Sequence, residues 1–317
     1  MPRYLAKAAA LFVLLSCFGP GSILLTQQSH APGSQAVPTP EKAVSLAEEG
    51  RCRESIAGLK HAMTVTTVAA EVRKQAGVLG VRCSLAMDDR EVTNEFIRAL
   101  TKQFPKDPDV LFVIVHAYSD LSTRTAQDLG REAPQSIAAH KLNAEALEMQ
   151  GKWEPAQHEY EAIIQKDPNV RGIHFLLGRL FLSRPDAGPE AAEHARQEFL
   201  KEITIDPSNA GAHYVLGELA RRDEKCEEAI LQFSEAIKFN PSFAEAYLGE
   251  GLCLVNLKKY EEAVPPLRTA ERLTPGNPEI HHTLATALQR SGHKEEAEKE
   301  FSIHRSLTSG QDSESPQ

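Results

Sequence analysis

The sequence contains no HExxH metalloprotease motif, no phosphate-binding glycine loop, no GxSxG nucleophile elbow and no CxxC pair, so it offers no recognisable enzyme signature. Positive charge is also in short supply. Lys and Arg number 35 against 44 Asp and Glu, a net charge of −9. That balance argues against a partner held by its phosphate backbone, and no nucleic-acid partner is expected. An unbroken membrane-spanning run is missing too. The most apolar stretch, AAALFVLLSCF, is followed at once by Gly19, Pro20 and Gly21, which interrupt it well short of a span. What remains is globular in composition, 41% hydrophobic and 25% charged.

The front end reads as a targeting segment. MPRYLAK is a short basic stretch before the apolar run, the order found in export signals. Residues 1–25 are therefore expected to be a signal peptide or a lipoprotein signal or anchor. Residues 26–40, rich in Pro, Ser, Gln and Gly, read as a flexible linker. Leu14-Leu15-Ser16-Cys17 resembles a bacterial lipobox, which would make Cys17 a lipidation site. Cleavage after Ser34-Gln35-Ala36 and an uncleaved anchor stay open beside it. Any contact with membrane is expected through this segment alone, and the expected location is the periplasm or cell envelope.

The body of the chain repeats itself. A step of 34 residues takes Gly217 to Gly251, Ala229 to Ala263 and Ala297, and Phe199 to Phe233, Leu267 and Phe301. The same step takes Pro207 to Pro241 and Pro275, and Pro134 to Pro168. Agreement at several independent offsets is the mark of a helical repeat. Each unit reads as a first helix such as Ala210–Arg222, a short turn, and a second helix such as CEEAILQFSEAIKF, ended by Asn240-Pro241. Glycine inside a helix costs roughly 1 kcal/mol relative to alanine. Gly178, Gly217 and Gly251, with Ala229, Ala263 and Ala297, are explained if two helices must approach closely around a large apolar residue.

This pattern resembles the tetratricopeptide repeat family, a 34-residue helix-turn-helix with small residues at these places and a closing proline. The resemblance implies an all-α fold, a right-handed α-α superhelix or solenoid. The array is expected over residues 137–305, with degenerate helical repeats over 41–136 and a disordered tail over 306–317. Near the start, LAEEGRCRESIAGLKHAM looks like a half-unit whose second helix caps the array. DVLFVIVHAYSDL reads as a first helix with only a short partner. SRPDAGPEA reads as a hairpin loop enlarged by five residues, and Pro265-Pro266 should kink a second helix.

In this family the first helices line a groove that takes a peptide or helix of another protein. The family register places Lys141, Glu145 and Met149 there, then Phe175, Arg179 and Leu182, then Tyr214, Glu218, Arg221 and Arg222. Leu248, Leu252, Val255, Asn256, His282, Thr286 and Arg290 follow. Phe175, Tyr214 and Leu248 would form an apolar stripe, with Arg179, Arg221 and Arg222 reading charge. The lysine–asparagine clamp of the chaperone-binding members is not matched. The resemblance therefore implies a non-enzymatic interaction scaffold with no cofactor. The alternatives are an accessory subunit binding a metal or small ligand, and a self-assembling repeat protein, the oligomeric state being open.

Two residue sets invite chemistry. His140, His174, His213 and His281 recur at one position of four first helices, with Tyr247 in the fifth. A metal ladder is not expected, because neighbouring repeats are roughly 10 Å apart and no carboxylate or thiolate is evidently placed to complete a site. Cys52, Cys83, Cys226 and Cys253 are read either as two disulfides, Cys52–Cys83 and Cys226–Cys253, in an oxidising compartment, or as four buried thiols.

Overall fold

The computed structural model describes residues 37–185 and 188–311. Among these the chain forms fifteen helices and no strand. The expectations for Cys17 and the rest of residues 1–36 lie outside the described residues. No helix among those described is long and apolar enough to cross a membrane.

The chain divides into two compact units, residues 1–120 and 121–317. In the first, α1 (Pro40–Glu48) and α2 (Cys52–Thr64) form a hairpin, and so do α3 (Ala70–Ala86) and α4 (Arg90–Gln103). The expected half-unit at the start is thus a complete helix pair. Cys52 opens α2 and Cys83 lies late in α3, and the two are joined by a disulfide. With its ends separated by 31 positions in sequence, the bond contributes about 3–4 kcal/mol in the chain-entropy account. α3 and α4 obey the repeat's packing rule: a Cβ at Gly80 would meet Phe96 Cε1 at 2.4 Å.

α5 (Pro108–Glu132) departs from expectation. Instead of a first helix and a short second one, residues 108–132 form one 25-residue helix. Asp107 caps its start, accepting from the Asp109 and Val110 amides at 3.0 and 3.1 Å. Between Ser119 and Thr125 no glycine, proline or asparagine breaks the helix.

The second unit stacks five hairpins: α6 (Ile137–Met149) with α7 (Trp153–Lys166), α8 (Ile173–Ser183) with α9 (Pro189–Ile205), α10 (Ala210–Arg222) with α11 (Cys226–Phe239), α12 (Ala244–Asn256) with α13 (Tyr260–Leu273), and α14 (Pro278–Arg290) with α15 (Lys294–Gln311). Each second helix packs on the first helix of the next pair, and α12 also packs on both α10 and α14. α10, α12 and α14 thereby form one layer of first helices. α10 and α11 have the boundaries read from sequence.

The small residues do what their spacing implies. A Cβ at Gly217 would lie 2.7 Å from Phe233 Cε1, and one at Gly251 would lie 2.4 Å from Leu267 Cδ2. At Gly178 the nearest Phe199 ring atom is at 3.0 Å. Gly249, which the spacing did not single out, closes the other side of Phe233, 2.5 Å from Cζ. Ala229, Ala263 and Ala297 are buried opposite.

Among the described residues, four of the five hairpin turns in this unit carry a left-handed residue. It is Gly151 and Gly292 in two repeats but Glu224 (φ 61°) and Lys258 (φ 60°) in two others. The Lys259 amide then reaches back to the Leu254 carbonyl at 2.8 Å, closing the helix end.

Two local expectations are corrected, and the double proline of α13 does not end its helix. The five additional residues after α8 do not all enter the loop, because α9 has 17 residues where α11 has 14. Three of the five thus extend the helix, helped by Pro189 in its first turn. α13 continues through Pro265 and Pro266 to Leu273, and the Thr269 hydroxyl donates to the Pro265 carbonyl at 3.2 Å. Residues 306–311 belong to α15 rather than to a tail.

Candidate protein-binding face

The histidine row is built from a regular cross-helix pair. His140 Nδ1 faces Glu159 at 2.6 Å, His174 Nδ1 faces Glu198 at 2.5 Å, His213 Nδ1 faces Gln232 at 2.8 Å and His281 Nδ1 faces Glu300 at 2.7 Å. In sequence the partner stands 19 residues on, or 24 where the five-residue insertion intervenes. That spacing was present in the sequence, and it corrects the expectation that no carboxylate stands near these imidazoles. In the α12–α13 repeat Tyr247 replaces histidine and Pro266 takes the partner's place. Each pair ties the first helix of a hairpin to its second; Nε2 of His213 and of His281 also meets the Pro207 and Pro275 carbonyls at 3.1 and 2.9 Å, whereas the buried Nε2 of His140 has no hydrogen-bond partner among the described residues. Burial pushes the Glu198 carboxyl up, but the bonds from His174 and Lys201 outweigh it and hold the group below its ordinary range. Burial likewise opposes charge on His281, and the bonds to Glu300 and to the Pro275 carbonyl leave its pKa raised.

A second buried carboxylate escaped sequence analysis. Glu202, fully buried in α9, accepts from the Gly172 amide at 2.8 Å, the Phe175 amide at 3.3 Å and the Asn209 side chain at 3.1 Å. It caps α8, whose own preceding residue, Gly172, has no side chain to do so.

Most of the residues assigned to the groove fall into four groups. Leu248 is corrected: at 7% exposure it is part of the core with Leu267 and Leu284, and is not a surface anchor. Phe175, Tyr214 and Leu252 are half-buried between repeats. Phe175 packs against Phe199 with ring centres 5.6 Å apart, and Tyr214 packs against Phe243 at 4.7 Å. Burial raises the Tyr214 phenol pKa, so it stays a neutral donor. Arg179 pairs with Glu148 at 3.1 Å and Arg221 with Glu218 at 2.8 Å. The open positions are Lys141, Met149, Arg222, Asn256, His282 and Arg290. Arg222, Asn256 and Arg290 stand 34 residues apart at the ends of α10, α12 and α14. Among the described residues neither arginine of this row has an ion-pair partner.

Cys226 and Cys253 are buried thiols, so the second expected disulfide is not formed. They lie in one apolar cluster with Phe233 and Ala246. Burial, followed by the Cys226 contact, pushes the Cys253 thiol far up, which keeps it protonated.

A profile of the tetratricopeptide repeat family matches residues 141–210, 188–242 and 214–278. Residues 141–278 carry tetratricopeptide repeats. Among solved structures, a MamA double mutant designated RS-1 ArsTM superposes with a TM-score of 0.50 at 18% identity, covering 56% of this chain and 97% of that one. MamA from residue 41 of Desulfovibrio magneticus RS-1 gives 0.48 at 18% identity, covering 56% and 97%. YrrB, described as a TPR protein with an unusual peptide-binding site, gives 0.49 at 18% identity, covering 57% and 91%. Similarity at this level speaks to fold alone. No curated protein matches the chain. The tetratricopeptide scaffold is typical of protein–protein interaction.

Proposed function

We propose that the chain is a non-enzymatic scaffold of the cell envelope that holds an acidic peptide or helix of a partner protein across its first helices. The observation that carries this reading is the row Arg222–Asn256–Arg290, in which two exposed guanidiniums have no internal carboxylate. An arginine already paired must break that pair to bind, whereas an unpaired one engages a carboxylate directly and with fork geometry. Tyr214 supplies a half-buried ring behind the row, and Phe175 a second one further along the array. Arg179 and Arg221, being paired within the array, hold its surface in place rather than read charge.

Export rests on the basic-then-apolar start of the sequence. A disulfide at Cys52–Cys83 suits an oxidising compartment. The test is affinity capture from an envelope extract with the intact protein and with Arg222→Glu/Arg290→Glu as parallel baits. Both positions are exposed, so the charge reversal leaves the fold intact. A partner kept by the first bait and lost by the second supports the reading. A partner that binds both equally moves the site off this face.

A further inference from the structure

We propose that Glu271, His281 and Glu300 form a site for one divalent transition-metal ion at the last interface of the array. The three residues come from α13, α14 and α15, and a ligand atom of each lies within 4.8 Å of the others. His281 and Glu300 are buried, at 2% and 7% exposure.

The tautomer is decided by the backbone. His281 Nε2 faces the Pro275 carbonyl at 2.9 Å, an acceptor, so Nε2 carries a hydrogen. Nδ1 then directs its other face at Glu300 Oε2, 2.7 Å away. Two acceptors at that distance require an electropositive centre between or beside them, a proton or a metal ion. A metal-bound imidazole is ordinarily oriented by a hydrogen bond from its second nitrogen to a carbonyl, which is the role of Pro275. A small side-chain movement of Glu300 opens the pair to about 3.3 Å, the ligand-to-ligand edge of a tetrahedral zinc site.

Comparison among the repeats separates this rung from the others. The position of Glu271 is held by Ile164, Ile203 and Ile237 in the three preceding repeats. Where Glu198 is neutralised by Lys201 at 2.7 Å, the residue equivalent to that lysine beside Glu300 is Ile303. This rung therefore gains a carboxylate and lacks a cation, and among the described residues no lysine or arginine pairs with Glu271 or Glu300. Two carboxylates facing one imidazole leave a net negative charge that a divalent ion would balance. One imidazole with two carboxylates selects a borderline ion such as Zn²⁺ over Mg²⁺ or Ca²⁺, which favour all-oxygen sites. Bound there, the ion would fasten the α14–α15 hairpin to the repeat before it.

The experiment uses the full chain, freed of metal by chelation and titrated with Zn²⁺ by calorimetry, with Co²⁺ absorption as a second readout. Two variants come from the protein's own repeats: Glu271→Ile and His281→Tyr. The expected result is one equivalent of Zn²⁺ on the wild type, a higher thermal midpoint with metal, and affinity at least tenfold weaker in both variants. Circular dichroism confirms that each variant is folded; Glu271→Ile alone decides the matter if His281→Tyr is not. Equal binding by Glu271→Ile, loss of binding instead in Cys226→Ser, or no binding and no thermal shift in the wild type would each overturn the proposal.

Discussion

Gly217→Ala is the perturbation with the clearest sign. At an open helical position the change would stabilise by about 1 kcal/mol, because alanine is the better helix former. At Gly217 the new methyl would stand 2.7 Å from Phe233 Cε1, about 1 Å inside ordinary carbon–carbon contact. The ring has nowhere to go, since its far edge already meets the backbone at Gly249, where a Cβ would be only 2.5 Å from Cζ. Overpacking of this kind costs about 1–3 kcal/mol. With no room to yield, the upper end applies, and the net effect is about 2 kcal/mol of destabilisation. Gly130→Ala in α5 is the control: nothing lies within 4 Å of its Cβ, so it should stabilise by about 0.5–1 kcal/mol. Urea unfolding followed by far-ultraviolet circular dichroism measures both. If Gly217→Ala is as stable as the wild type, the close-approach explanation of the repeat's glycines is wrong.

Glu202→Ala should destabilise by about 2–3 kcal/mol, because it strands two backbone donors of α8 and the Asn209 amide. The same unfolding assay checks it, and Glu202→Gln should recover part of the loss. Lys258→Gly should stabilise by about 0.5–1 kcal/mol by relieving a left-handed residue at φ 60°; an unchanged urea midpoint would count against that. The folded pKa of Glu198 lies below its ordinary value of 4.5. Its contribution is therefore complete above that value and is lost as pH falls through the folded pKa. The stability difference between wild type and Glu198→Gln should shrink as pH drops from about 6 to about 3, and a difference constant over that range would contradict the pairing.

The parts of the fold that sequence made legible are those governed by one packing rule repeated at a fixed spacing. Gly217 with Phe233 and Gly251 with Leu267 follow from it, as does the end of α11, where Asn240 precedes Pro241. Glu224 and Lys258 hid a turn conformation that Gly151 and Gly292 announce, because the αL requirement shows only when equivalent turns are aligned. The Glu and Gln partners of the histidine row lie on the second helix, and looking along the first helix alone missed them. Glu202 is one charge among several on α9, and nothing in its own sequence neighbourhood marks it as buried. Its burial follows from Gly172, a helix start with no side chain to cap it. α5 was misread because an apolar run followed by polar residues resembles a hairpin even where no residue forces a turn. Leu248 was assigned to the surface by family register, yet α12 lies between α10 and α14, and that packing closes over it.

The central claim is that the first-helix layer is the partner-binding face. Hydrogen–deuterium exchange tests it most directly. The protein would be compared free and bound to an acidic peptide selected against it from a display library. The account predicts slowed exchange in α10, α12 and α14, centred on the turns after Arg222, Asn256 and Arg290, and its disappearance with Arg222→Glu/Arg290→Glu. Protection confined to α9, α11, α13 and α15, or to residues 40–103, would contradict it.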